Sequence, residues 1–266
     1  MVDSFGREIT HLRISVTDRC NLRCRYCVPP EGVELLPRED ILSFDEIVEV
    51  ARAAVGMGVT KLRVTGGEPL VRRNIETLVR DLAAMDGVED LAMTTNGTLL
   101  AEHAANLASA GLRRVNVSLD AVRPDRYREI TRGGDVDLVL RGIEAAHDAG
   151  LWPIKLNCVV QDSSSEPDAR EVARFAQERG LEARFIRRMD FKTGRFSPVE
   201  GGAGGNCGRC NRLRLSSDGV IRPCLFSDIH FNVRELGAAE ALRQAISAKP
   251  EAGGVCSHDW IRGIGG

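Results

Sequence analysis

Between residues 11 and 187 the sequence runs through six β–α steps with short connections. Apolar, β-prone runs fall at 11–16, 61–64, 91–94, 115–120, 154–160 and 183–187. Runs with helical spacing fall between them, at about 44–55, 74–85, 101–110, 136–149 and 168–179. Such alternation predicts a parallel sheet covered by helices, with right-handed crossovers. Six steps are too few for a closed eight-stranded barrel. The expected fold class is therefore α/β, a partial (β/α)6 TIM-like barrel. Ser43, with Glu46 three residues on, has the pattern of a capping box at the start of the first helix. Polar residues gather where the strands end: Cys20 onward, Gly66 to Glu68, Asn96, Ser118, Asp120 and Met189. That edge is where parallel α/β architectures bind ligands. Asp120 taken alone reads equally well as a helix cap.

The first strand runs into Cys20, Cys24 and Cys27, spaced C-x3-C-x2-C. Thiolate is the ligand that an iron–sulfur cluster takes from protein. A structural zinc wants four ligands, usually in paired C-x2–4-C units, and here three are local with no histidine nearby. Three cysteines on a four-iron cluster leave one iron open. An open iron can take a small molecule through an amine and a carboxylate.

A second set follows at Cys207, Cys210 and Cys224. Its C-x2-C pair is compatible with zinc, a redox dithiol or iron–sulfur. Cys256 is the one late candidate for a fourth ligand, which would close the site. Cys158 lies in the fifth strand and reads as a packed core thiol. Arg212 and Arg214 share one side of an extended strand. Two planar guanidinium forks suit a polyphosphate or a carboxylate, and a solvated basic edge is the plainer reading.

The chain has 266 residues, 43% of them hydrophobic, so it can bury a core. Its net charge of −2 and its 5% aromatic content argue against a nucleic-acid surface. No apolar run reaches the roughly 18 residues of a membrane span, and the first ten residues carry no secretory signal. Eight cysteines in clusters, without a signal, predict a reducing, cytoplasmic setting and metal ligation. From Asp190 the rhythm breaks into a glycine-rich link, then a hairpin over 213–223 and a helix within 233–248. The expected division is 1–190 for the barrel and 191–266 for a small second-cluster unit.

Several motifs together closely resemble the radical-SAM family of GTP 3′,8-cyclases of molybdenum-cofactor biosynthesis. They are Arg13, the first cysteine set with Tyr26, the stretches 65–70, 94–97, 116–120 and 207–215, the run 224–226 and the closing Ile264-Gly265-Gly266. The resemblance covers nearly the whole chain. It implies two [4Fe-4S] clusters, one on Cys20, Cys24 and Cys27 and one on Cys207, Cys210 and Cys224. It implies S-adenosyl-L-methionine at Tyr26, Gly67, Ser118 and Met189. GTP would meet Arg13, Arg63, Thr94, Lys155, Arg212 and Arg214, and Arg13 would also serve the quenching of the product radical. The tail glycines, Gly265 and Gly266, would reach into the site. The implied reaction takes a hydrogen from C3′ of GTP with a 5′-deoxyadenosyl radical and joins C3′ to C8. Its partners would be the nucleotide and an electron donor such as flavodoxin or ferredoxin, with no nucleic acid and no membrane; a homodimer is compatible. The two cysteine sets are expected to face each other across the barrel mouth.

The sequence departs from that family in one place. Only 17 residues separate Met189 from Cys207, several dozen fewer than in the family. Arg187 and Arg188 stand where an acidic residue is common. The alternatives are another nucleotide, a finished molybdo- or tungstopterin cofactor, or a peptide as substrate.

Overall fold

The computed structural model describes residues 1–257. Gly265 and Gly266 lie outside them. Strands β1 (His11–Ser15), β2 (Lys61–Thr65), β3 (Asp90–Thr95), β4 (Arg114–Ser118), β5 (Lys155–Val160) and β6 (Glu182–Arg187) are parallel and pair in sequence order. This order is that of a barrel rather than of a doubly wound sheet. Beyond β1 the sheet continues with β7 (Arg212–Leu215), parallel to β1, and then antiparallel β8 (Val220–Arg222) and β9 (Phe231–Asn232). The segment after residue 190 thus hydrogen-bonds straight onto the first strand.

Two-residue periodicity divides the sheet's faces. Leu12, Ile14, Leu62, Val64, Leu91, Met93, Val115, Val117, Leu213 and Leu215 are buried on one face. Against that face pack helices α1 (Phe44–Gly56), α2 (Ile75–Ala83), α3 (Leu100–Ser109), α5 (Val136–Asp148), α6 (Pro167–Glu178) and, after the hairpin, α8 (Ala238–Ser247). α3 lies on α5, and α8 lies on α1. The other face is the lumen and carries the polar and charged residues.

Two helices differ from the sequence expectation. α4 (Pro124–Thr131) has the sequence PDRYREIT and buries only Tyr127 and Thr131, so no apolar period announces it. The helix expected within 233–248 is split into α7 (Val233–Leu236) and α8 by Gly237, whose φ of 77° a side chain rarely adopts.

The link 190–206 closes the open side of the barrel. It pairs with the edge strand through a Phe185–Glu200 bridge. Phe191 and Phe196 stack on Phe226, just past β8, at centroid distances of 4.8 and 4.5 Å. Leu225 and Cys256 complete this small apolar cluster, with Cys224 packed against it.

At α1 the capping box forms as expected: Ser43 Oγ accepts from Glu46 N at 3.2 Å, and Glu46 Oε2 accepts from Ser43 N at 2.7 Å. Ser43→Ala should cost about 1 kcal/mol. Thermal unfolding of the apoprotein should then move down by about 2–4 °C.

Candidate active site

At the C-terminal ends of the strands lies a cavity of about 740 Å³, within the range of small-molecule sites. Cys20, Cys24, Cys27, Tyr26, Gly67, Thr94, Ser118 and Met189 all line it. The first cysteine set and every residue expected to hold S-adenosyl-L-methionine thus meet in one place. Lys192, Arg195, Phe196 and Ser197 of the link form its outer wall. They follow no β–α rhythm, and their one sequence signal is a pair of phenylalanines in a glycine-rich run.

The cysteine loop is held by backbone contacts to the loop after β2. Gly67 N donates to Thr17 O at 2.7 Å and Glu68 N to Arg19 O at 2.8 Å. A Cβ on Gly67 would stand 2.3 Å from Arg19 O, so only glycine allows this approach. Glu68 is fully buried. It accepts from Leu70 N at 3.1 Å, Thr95 Oγ1 at 2.7 Å and Asn96 N at 2.6 Å. Burial still pushes its carboxyl up to about 7 against those three donors. Asn96 Nδ2 in turn donates to Asn21 Oδ1 at 2.8 Å and lies 3.8 Å from Cys20 Sγ.

Asp120 is a tether and not a helix cap. Its Oδ2 accepts from Tyr26 Oη at 2.7 Å and its Oδ1 from Val159 N at 2.8 Å. Tyr26, directly before Cys27, is in this way fastened to the ends of β4 and β5. Burial lifts the Asp120 carboxyl to about 6, while Val159 N–H and Tyr26 O–H hold it down.

The donor set fits an iron–sulfur cluster. Burial, then Cys27, Asp120 and Cys20, raise the Cys24 thiol, so the three sulfurs are near enough to repel as bare thiolates. A cationic iron core relieves that repulsion. Among the described residues no three His, Cys, Asp or Glu side chains stand as a single-ion site. Three thiols on one wall, with no fourth ligand beside them among the described residues, suit a multi-iron core better than one zinc, which wants four.

Below the cavity the lumen face carries a row of arginines. The register aligns Arg222, Arg214, Arg13, Arg63, Ala92 and Arg114 across β8, β7, β1, β2, β3 and β4. Ala92 lies two residues below Thr94, which lines the cavity. Burial, then Arg114, Arg184 and Arg212, drop Arg63 to about 9. Burial and Arg212 drop Arg214 to about 10. Burial, followed by Arg214, Arg63 and Arg212, also pulls Arg13 down. The Nε atoms of Arg63, Arg184 and Arg222 are buried without a hydrogen-bond partner. Two carboxylates offset the charge: Asp90 takes Arg114, with Nε–Oδ1 at 2.9 Å, and Glu182 takes Lys155 at 2.6 Å. Orphaned donors and crowded cations make this a site for a polyanion. Arg114, Arg184 and Arg222 are absent from the sequence-based set; strand register finds Arg114 and Arg222, and Arg184 is found by its charge acting on Arg63. Arg13 stands in this row and does not line the cavity of the first cysteine set.

The second cysteine set lies at the other end of the lumen, not across the mouth. Cys207 and Cys210 precede β7, which runs parallel to β1, so they sit at the strands' N-terminal edge. β8 runs back, and Arg222 pairs with Arg214, so Cys224 returns to that same edge. Arg214 senses both Cys210 and Cys224. Cys256 is buried beside Phe191, Leu225 and Phe226.

A sequence profile of the Radical SAM superfamily matches residues 14–176. The GTP 3′,8-cyclase of Moorella thermoacetica is 43% identical over 303 aligned positions, covering 94% of this chain and 94% of that protein. The GTP 3′,8-cyclase of Geobacter sulfurreducens is 41% identical, covering 96% and 94%. An alignment of 303 positions exceeds the 266 residues here, so that relative has residues without a counterpart, in keeping with the short link. Among solved structures, Streptococcus suis SuiB bound to S-adenosylmethionine superposes with a TM-score of 0.65 at 15% identity, covering 91% of this chain and 64% of that one. The anSMEcpe structure with bound AdoMet and a peptide gives 0.60 at 16% identity, covering 91% and 81%. At these identities the structural likeness shows the fold.

Glu68 gives a pH signature. Its folded value of about 7 lies above its usual 4.5, so the folded chain keeps a proton that the unfolded chain has lost. Its contribution is complete below about pH 4.5 and is lost as pH rises through about 7. Urea midpoints of the apoprotein and of Glu68→Gln, compared at about pH 5 and about pH 7.5, should show the parent losing more stability with rising pH than the variant.

Proposed function

Because the chain belongs to the Radical SAM superfamily and, within it, to the family of GTP 3′,8-cyclases, we propose that it joins C3′ to C8 of GTP on the route to the molybdenum cofactor. The observation that carries this reading is the arginine row between two cysteine sets. Cys20, Cys24 and Cys27 would hold one [4Fe–4S] cluster, and Cys207, Cys210 and Cys224 the other. When bound, the first cluster and S-adenosylmethionine supply one-electron cleavage of the C5′–S bond, the source of the radical that takes a hydrogen atom from the substrate.

The chain's own residues bind, orient and shield. Gly67 and Met189 line the cavity beside the cysteine loop and suit the aminocarboxyl end of S-adenosylmethionine, with Tyr26 and Ser118 on the same wall. Arg13, Arg63, Arg212 and Arg214 neutralise the triphosphate, joined by Arg114, Arg184 and Arg222 of the same lumen. Each anionic oxygen gains a charge-assisted hydrogen bond and releases the guanidiniums from mutual repulsion. Lys155 reaches the substrate only in exchange for its pairing with Glu182. Thr94 lines the cavity one step above Ala92, the smallest residue of the row, where a ribose has room. Phe191 and Phe196 keep water out on the side that the short link closes. The electron comes from a separate donor such as flavodoxin or ferredoxin, in the cytoplasm. No helix among the described residues is long and apolar enough to cross a membrane.

Anaerobic incubation with GTP, S-adenosylmethionine and a reductant should yield 5′-deoxyadenosine and a cyclised isomer of GTP by mass spectrometry. Losing one charge-assisted hydrogen bond costs about 1.5–3 kcal/mol, so Arg214→Ala should raise the KM for GTP roughly 10- to 100-fold. Cleavage of S-adenosylmethionine without consumption of GTP would assign the lumen to a different anion.

A further inference from the structure

Lys249 is almost fully buried, at 3% exposure. It donates to Arg212 O at 2.8 Å and to Pro223 O at 2.5 Å. Arg212 stands two residues after Cys210, and Pro223 directly precedes Cys224. One cation therefore ties together the two segments that carry the second cysteine set. Its positive charge acts on both Cys210 and Cys224. The adjoining cation is Arg7, which donates to Cys207 O at 2.8 Å and Pro250 O at 2.7 Å. The charge of Arg7 is met by buried Asp3 at 2.6 Å. That of Lys249 is directed at carbonyls and thiols only, among the described residues.

Resting on the reading of Cys207, Cys210 and Cys224 as cluster ligands, we propose that Lys249 is a positioning residue that holds these ligands in place and sets the reduction potential of their cluster. Two carbonyl contacts fix the spacing of the cysteine segments, and the uncompensated positive charge stabilises the more negative, reduced state. Outer groups that bond to cluster sulfurs act in this way in general. Nothing in the sequence singles out this lysine, because it lies in the connection after α8, 25 residues beyond Cys224.

The test uses the full chain carrying Cys20→Ser, Cys24→Ser and Cys27→Ser, reconstituted anaerobically so that only the second set takes up iron. The midpoint potential is read by electron paramagnetic resonance, and iron release by a chelator. Lys249→Met and Lys249→Gln should both shift the potential to more negative values and release iron several-fold faster, while Lys249→Arg stays near the parent. A lysine that served stability alone would lower the melting temperature and leave the potential in place. Should Lys249→Met not fold, Lys249→Gln decides, since it keeps two donors without the charge. Lys249→Gln with full iron, the parent potential and the parent release rate overturns the proposal. A parent that takes up no iron at this set overturns instead the reading beneath it.

Discussion

Five guanidiniums in register on adjacent strands, broken by one alanine, are the constraint around which the molecule is arranged. Neighbouring strands stand only about 4.8 Å apart, so like charges there repel strongly once water is thinned. The lowered values of Arg63 and Arg214, about 9 and about 10, express that repulsion. The sheet tolerates it because its other face is a continuous apolar core of buried leucine, isoleucine and valine. Hydrophobic burial outside supports an electrostatically costly lumen inside. The cost is removed when an anion of several charges enters, and it is this that makes the lumen a binding site instead of a flaw.

Each end of that lumen is finished by a cysteine set, and the two ends are held by different means. At the C-terminal edge of the strands the devices are close backbone contact and buried carboxylates. Gly67 lets the loops touch, Glu68 gathers three donors, and Asp120 fastens Tyr26. At the N-terminal edge the devices are buried cations, Arg7 and Lys249, gripping the carbonyls next to the cysteines. Carboxylates around one set and cations around the other place the two ends in opposite electrostatic settings. A substrate lying along the arginine row has one cysteine set above it and the other below.

Much of this was legible in the residues. The β–α alternation gave the strand order, and the Ser43–Glu46 pair marked its helix to the residue. The cysteine spacings separated two ligand sets. What escaped were features that depend on direction and register. The hairpin over 213–223 was legible and it returns Cys224 to the side of Cys210, but nothing in the spacing shows that β7 pairs parallel to β1, which is what sets both at the N-terminal edge of the strands. Arg114 and Arg222 are unremarkable in sequence and join the row only through strand pairing. α4 hid because it buries two side chains, neither of them aliphatic. Asp120 has the residue type of a cap, and only its distance to Tyr26 reveals a tether.

The central claim is that a radical made at one cysteine set reaches a nucleotide held along the arginine row. Incubating the reconstituted enzyme with GTP deuterated at C3′, followed by mass spectrometry of the nucleoside product, tests it directly. The account expects one deuterium transferred into 5′-deoxyadenosine. Unlabelled 5′-deoxyadenosine, formed equally fast with and without GTP, would contradict it.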